Sequence, residues 1–212
     1  MMNKRLVWNF EINSDNLLEL PMMDGVAEQE LRWEARYFWP EDNIIILHGL
    51  NHGFLALSAY KIKHKQDSYY LLPDADYNIK MREEHLYYKP LLVNSPHAQA
   101  FGKKIKLEEC AASMALPGLD TPTAKVLLGR IKNQGRKISI EKEALIYRFA
   151  SNPQIKLELA RIQVANRVYF TLSIESRALA AVELVSRHVL GDTPACDYVR
   201  FLKTITGIPS KS

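Results

Sequence analysis

The chain is poor in the residues that usually mark a site. Its 212 residues hold two cysteines, Cys110 and Cys196, far apart and in no Cys-x-x-Cys pairing. That excludes a disulfide scaffold and a cysteine zinc site, and it fits a reducing cytoplasm. Six histidines occur, but none forms an HExxH or other compact ligand pair, so surface and turn positions are their default. Neither GxGxxG nor a P-loop is present, which removes the two commonest routes to nucleotide binding. The longest apolar stretches, 44–47 and 178–182, fall far short of the ~20 residues a membrane helix needs. The opening Met-Met-Asn-Lys-Arg-Leu-Val-Trp-Asn turns polar too soon for a signal peptide. Positive charge is in only mild excess, a formal +4, which permits an anionic ligand without marking a nucleic-acid binder.

What is present is an ordinary globular composition, 47% hydrophobic and 25% charged, with no repeat or linker to divide it. Length and composition predict one domain over 1–212. Strand patterns come first: an alternating segment at 26–39, an Ile-rich run at 43–48, and further strands at 53–62, 67–72, 77–82 and 85–92. Pro73-Asp74-Ala75-Asp76 reads as a turn; the Asp74, Asp76, Asn78 spacing imitates an EF-hand start but lacks the glycine and terminal glutamate. A helix is predicted from an N-cap at Thr121, with Pro122 in its first turn, to Gly135. Strands resume at 137–149, 154–163 and 167–175. A helix capped by Ser176 then runs to Gly191, and one starting at Thr193-Pro194 runs to Gly207. Runs of strands with segregated helices predict an α+β fold on a mostly antiparallel sheet.

The strand faces carry the functional signal. In 26–39 the even positions are Glu28, Glu30, Arg32, Glu34 and Arg36; the odd ones include Leu31, Trp33, Tyr37 and Trp39. Successive side chains point to opposite faces, so one face is charged and the other apolar. The segments 78–82, with Lys80 and Arg82, and 167–175, with Ser173 and Glu175, behave alike. A half-solvated sheet explains any one strand. Several charged faces of both signs, with the aromatics covered by helices, predict instead a polar cavity inside a curved sheet, suited to a metal–polyphosphate ligand. The basic run Lys61-Ile-Lys63-His64-Lys65 reads as a solvated strand end, with nucleic-acid contact as the weaker alternative. One tyrosine of each pair, Tyr69-Tyr70 and Tyr87-Tyr88, is expected in the core, and the other is open to stacking on a ligand.

Glu28-Gln29-Glu30-Leu31-Arg32 resembles the ExExK strand of the CYTH, or triphosphate tunnel metalloenzyme, superfamily, with Arg for Lys. Asp67-Ser-Tyr-Tyr, then Asn78-Ile-Lys80-Met-Arg82, then Leu86-Tyr-Tyr-Lys89 are similar to that family's succession of strands. So are Glu141-Lys142 with Tyr147-Arg148, Lys156-Leu-Glu158, and Ser173-Ile-Glu175. The resemblance spans roughly 26–190. It implies an antiparallel eight-stranded β-barrel, a tunnel with helices packed outside, acting on triphosphate compounds. It further implies that Arg32, Lys80, Arg82, Lys89, Lys142 and Arg148 hold the phosphates and that Glu28, Glu30 and Glu175 bind Mg²⁺ or Mn²⁺. Glu30 and Arg82 are the catalytic residues on that reading.

Three departures from the family's pattern bear on the metal and phosphate sites. The first strand also reads in a second register, Arg32-Trp-Glu34-Ala-Arg36, which puts an arginine where the family has its first glutamate. Ser173 stands where many members carry an acid, and Ala144 where a second base is common. The expected function is metal-dependent hydrolysis of a triphosphate; the alternative is a non-catalytic module for polyphosphate or another anion. The expected partner is a small phosphate ligand, with no specific nucleic acid and no membrane, for a monomer or homodimer.

Overall fold

The computed structural model describes residues 3–20, 31–118 and 123–209. Among them, two sheets and three helices make an α+β fold. A small sheet has the order β1-β2-β4, built from β1 (Lys4–Val7), β2 (Phe10–Asn13) and β4 (Ile45–His48), with β2 and β4 parallel. The large sheet is antiparallel and has ten strands, not the eight expected. Its order starts at β10 (Ile105–Lys106) and passes through β7 (His85–Lys89), β6 (Asn78–Arg82), β5 (Lys61–Leu71) and β11 (Arg136–Arg148). It continues through β12 (Lys156–Val164), β13 (Arg167–Ser176), β3 (Arg32–Pro40) and β9 (Gln99–Phe101) to β8 (Leu91–Asn94). The sheet curls into a half-barrel. Strands β7 and β8 lie near its opposite ends yet are consecutive in sequence, so the chain bridges the gap at Pro90.

Alternation decides which face each strand buries. Trp33, Ala35 and Tyr37 of β3, with Phe170, Leu172 and Ile174 of β13, pack outward. They meet Ala181, Val182, Val185 and Val189 of α2 (Leu179–Leu190) and Phe10, Ile45 and Leu47 of the small sheet. Burying one such side chain contributes on the order of 1.5–3 kcal/mol, so this layer is a main source of stability. Helix α1 (Ala124–Gln134) likewise covers Ile79 and Tyr88 from outside through Leu127 and Ile131.

Helix α3 (Tyr198–Thr206) departs from the expectation that helices pack outside. It lies on the concave face, where Phe201 stacks on Phe38 (centroids 3.8 Å apart) and Tyr198 on Tyr69 (4.9 Å). Leu71, Ile140, Ile162, Val164 and Tyr169 complete that contact. The fully buried Lys203 donates to Asp76 (2.6 Å) and to the Ala75 carbonyl (3.0 Å), pinning the helix to the turn after β5.

Several boundaries differ from the sequence reading. Residues 52–59 form two short 3-10 turns rather than a strand, because Asn51 caps the first by accepting from the Gly53 amide. The cap of α1 is Thr123, which accepts from the Val126 amide; Thr121 and Pro122 lie outside the described residues. Ser176 ends β13, and α2 is capped at Ala178 without a side-chain bond. Asp197, not Thr193, caps α3, accepting from the Arg200 amide at 2.8 Å. Both helices stop where predicted, at Gly191 (φ 63°) and Gly207 (φ 67°), backbone conformations that glycine alone adopts freely. No helix of the described residues is long and apolar enough to cross a membrane.

Candidate functional site

The inner face is apolar under α3 and charged beyond it. Tyr198 forms the floor between the two, with the Arg36 guanidinium 5.2 Å from its ring centre. The charged half encloses a cavity of about 180 Å³. Strand β3 contributes Arg32, Glu34 and Arg36; β5 contributes Lys65 and Asp67; β6 contributes Lys80 and Arg82. Lys89, Lys104, Lys142, Lys156, Glu158, Glu175 and the α3 cap Asp197 complete the charged lining. Among the described residues, nine cations therefore face five carboxylates.

Each of the four strand carboxylates is already engaged. Glu34 accepts from Arg36 (2.7 Å) and from Lys89 (2.8 Å), a contact that joins β3 to β7 across the open side of the half-barrel. Asp67 receives Arg82 through two bonds of 2.7 Å, and Lys80 stands 3.4 Å away. Glu158 pairs with Lys142 and lies 3.6 Å from Arg36; Glu175 lies 2.5 Å from Lys156. Burial alone would raise the Glu34 carboxyl, but Lys89 and Arg36 outweigh it and hold its pKa well below the usual range. Glu158 and Asp67 are depressed in the same manner, by Lys142 with Arg36 and by Arg82 with Lys80. Burial raises the Asp197 carboxyl.

The cations are not fully matched. Among the described residues Arg32, Lys65 and Lys104 have no carboxylate within ion-pair distance. Burial, then the repulsion of Arg82, Lys89 and Lys65, lowers the Lys104 pKa. Lys80 falls to about 7, through burial first and then repulsion from Lys104, Arg82 and Lys142, with Asp67 opposing. Lys142 and Lys65 are also lowered, burial leading in each. A cavity that disfavours its own protonated lysines gains by admitting an anion.

The structure brings together Arg32, Lys80, Arg82, Lys89, Lys142 and Glu175 from the sequence-based set. Arg148 does not reach the inner cavity; it stands at its open mouth, donating to Gln154 at 2.8 Å. Glu28 and Glu30 lie outside the described residues. The second register places Glu34 and Arg36 inside, Glu34 directly across from Glu175. The sequence reading missed Lys65, Lys104, Asp67, Lys156, Glu158 and Asp197 as cavity residues. The signal for two of them was present: Lys61, Lys63, Lys65, Asp67 and Tyr69 share one parity on β5, so Lys63 and Lys65, of the run read as a solvated strand end, point inward while Ile62 and His64 stay exposed.

A divalent cation does not fit the described residues as they stand. Among them no group of three or more His, Cys, Asp or Glu side chains is placed to hold a metal, and each strand carboxylate of the cavity is neutralised by a lysine or arginine.

No family model matches the chain, and no curated protein matches it. Among solved structures, the chain is similar to a candidate adenylate cyclase from Bacillus halodurans, at 10% identity and a TM-score of 0.30, over 73% of this chain and 81% of that one. A likeness so faint carries no argument.

Proposed function

We propose that the chain binds a linear oligophosphate, inorganic triphosphate as its simplest form, in the cationic half of the half-barrel. The observation behind this is that, among the described residues, nine cations face five carboxylates in one partly enclosed cavity, with Arg32, Lys65 and Lys104 unmatched by any of them. Triphosphate is compact, strongly acceptor-rich and multiply charged. It can take charge-assisted bonds from several strands at once, each roughly twice as strong as a neutral bond. Arg82 and Lys80 hold one phosphate beside Asp67, and Lys89, Lys104 and Lys142 face it from the neighbouring strands. The motif order shared with the CYTH superfamily supports the same ligand class.

Hydrolysis is the second reading, favoured by Glu34 and Glu175 standing opposite each other on β3 and β13 beside the phosphate site. It requires Mg²⁺ or Mn²⁺, with Glu28 and Glu30 the further carboxylates implied by the resemblance. The four strand carboxylates of the cavity are held by lysine or arginine, so the ion would have to displace those partners.

Calorimetric titration with tripolyphosphate in excess chelator tests the binding reading. Binding is expected without metal, weaker for pyrophosphate and weakest for phosphate. No heat and no thermal shift at millimolar tripolyphosphate overturns it. Phosphate release with saturating Mg²⁺ or Mn²⁺ tests the second reading. Release abolished in Glu30→Gln or Glu34→Gln supports hydrolysis, and the sensitive variant identifies the working register. Tight binding without release leaves the chain a binding module.

A further inference from the structure

The cavity is blind at one end and basic at the other. Its far end is filled by α3: Phe201 lies on Phe38, Tyr198 on Tyr69, and Lys203 fixes the helix to Asp76. At the opposite end the inner lining runs without a break into a mouth of about 450 Å³. Arg32, Lys65, Lys156, Glu158 and Glu175 line both compartments, and the mouth adds Lys63, Arg148 and Arg177. Among the described residues, six cations thus meet two carboxylates there; Glu175 is paired with Lys156 of the mouth itself and Glu158 with Lys142 deeper in.

We propose that the site reads the end of a linear polyphosphate chain longer than triphosphate, whose terminal phosphates enter the blind cavity while the following ones lie along the mouth. This rests on the oligophosphate reading and adds its length. A triphosphate seated against Lys80, Arg82 and Lys89 leaves Lys63 and Arg148 without a ligand contact. A longer chain repeats the same negative group at each step and engages them in turn. The mouth also favours a chain of phosphates over a nucleic-acid strand. Sequence-tolerant strand binding uses aromatic platforms on which bases stack. Among the described residues, the mouth is lined by cations, two carboxylates, Gln154, Ser176 and Ile146, with no aromatic ring.

The geometry makes two measurable demands. Affinity for long-chain polyphosphate exceeds that for tripolyphosphate, and the excess depends on the mouth. A blind cavity takes chain ends only, so at saturation each chain holds no more than two proteins whatever its length. The experiment titrates the full chain, in excess chelator, with tripolyphosphate, long-chain polyphosphate and a 5′-triphosphorylated oligonucleotide. In the Lys63→Ala, Arg148→Ala double variant the ratio of long-chain to tripolyphosphate affinity is expected to fall by roughly threefold to tenfold for each charge removed. Circular dichroism confirms that the variant folds, as expected for two residues at the rim, and an Arg148→Lys variant should retain most of the ratio.

A wild-type ratio near one, or a ratio the double variant leaves intact, overturns the chain-end inference while triphosphate binding stands. A stoichiometry that grows with chain length shows lateral binding and overturns it too. Tighter binding of the oligonucleotide than of the long chain assigns the mouth to nucleic acid instead. No binding of any probe defeats the oligophosphate reading and this one with it.

Discussion

The two halves of the inner sheet face are built on the same strands and the same alternation, yet they do opposite work. On β5, Tyr69 and Leu71 lie under α3, whereas Lys63, Lys65 and Asp67 line the mouth and cavity. On β12, Ile162 and Val164 are covered, and Lys156 and Glu158 are not. On β3, Phe38 stacks on the helix two residues beyond Arg36. The apolar half removes area from water and so stabilises the fold. The charged half buries ions at a cost that their mutual pairing offsets only in part. One half holds the other in place: α3 closes the cavity and supplies Tyr198 and Asp197 to its floor.

Breaking the apolar half should produce the largest effect. Phe201→Ala empties a ring packed between Phe38 and Tyr169, and a loss of about 3–5 kcal/mol is expected by chemical denaturation. A loss below about 1 kcal/mol would mean that α3 is not part of the core. Two arginines on the inner face then sharpen the contrast within the charged half. Arg36 is 5% exposed and serves both Glu34 and Glu158, so Arg36→Ala should cost about 3 kcal/mol by leaving those carboxylates under-compensated. Arg148 sits in water at the mouth, and Arg148→Ala should change stability by less than about 0.5 kcal/mol. Equal costs for the two would remove the distinction between floor and mouth.

How much of this the sequence disclosed follows from period. Strands β11, β12 and β13 and the alternation around Trp33 were legible because side-chain direction depends only on parity. Lys80, Arg82 and Lys89 were legible as inward-facing for the same reason. What parity cannot say is what covers a face. Helix α3 reads as an outer helix in sequence, and only its contacts with Tyr69 and Phe38 place it inside the curl. Short edge elements were also hidden. The strands β8, β9 and β10 have four, three and two residues, too few for a periodic signal, and β1 and β2 have four each. The stretch 52–59 has the composition of a strand but bends because Asn51 caps a turn locally. The β3 register was left open by two overlapping patterns. The structure puts the inner-facing residues at Arg32, Glu34 and Arg36, with Glu28 and Glu30 outside the described residues.

The charged half should also give the protein a distinctive response to pH. Glu34, Glu158 and Asp67 have folded pKa values below their unfolded ones, so the stability they contribute is present above about pH 4 and lost as pH falls below it. Thermal melts from pH 6 down to pH 3 at constant ionic strength should show this decline, and a flat profile would argue against ion pairing in the cavity.

A small effect on stability, of the opposite sign, is the most informative about the ligand. Lys80 has a folded pKa of about 7 against about 10.4 in the unfolded chain. Between those values the unfolded state binds more protons, so stability in the absence of ligand should rise with pH over that window rather than fall. The lowered Lys142, Lys104 and Lys65 act in the same direction. Oligophosphate prefers the protonated lysines, so its affinity should decline over the same interval. Lys80→Met keeps much of the side-chain volume and removes the charge, while Asp67 keeps its two bonds from Arg82. We expect stability at pH 7 to be unchanged or higher by up to about 1 kcal/mol, and tripolyphosphate affinity to fall roughly tenfold. The rise of melting temperature with pH should also be shallower in the variant. Opposite signs for folding and binding mark a charge held in place for a ligand rather than for the fold. A variant that is much less stable, or that binds tripolyphosphate as well as the parent chain, would show that Lys80 serves the fold alone.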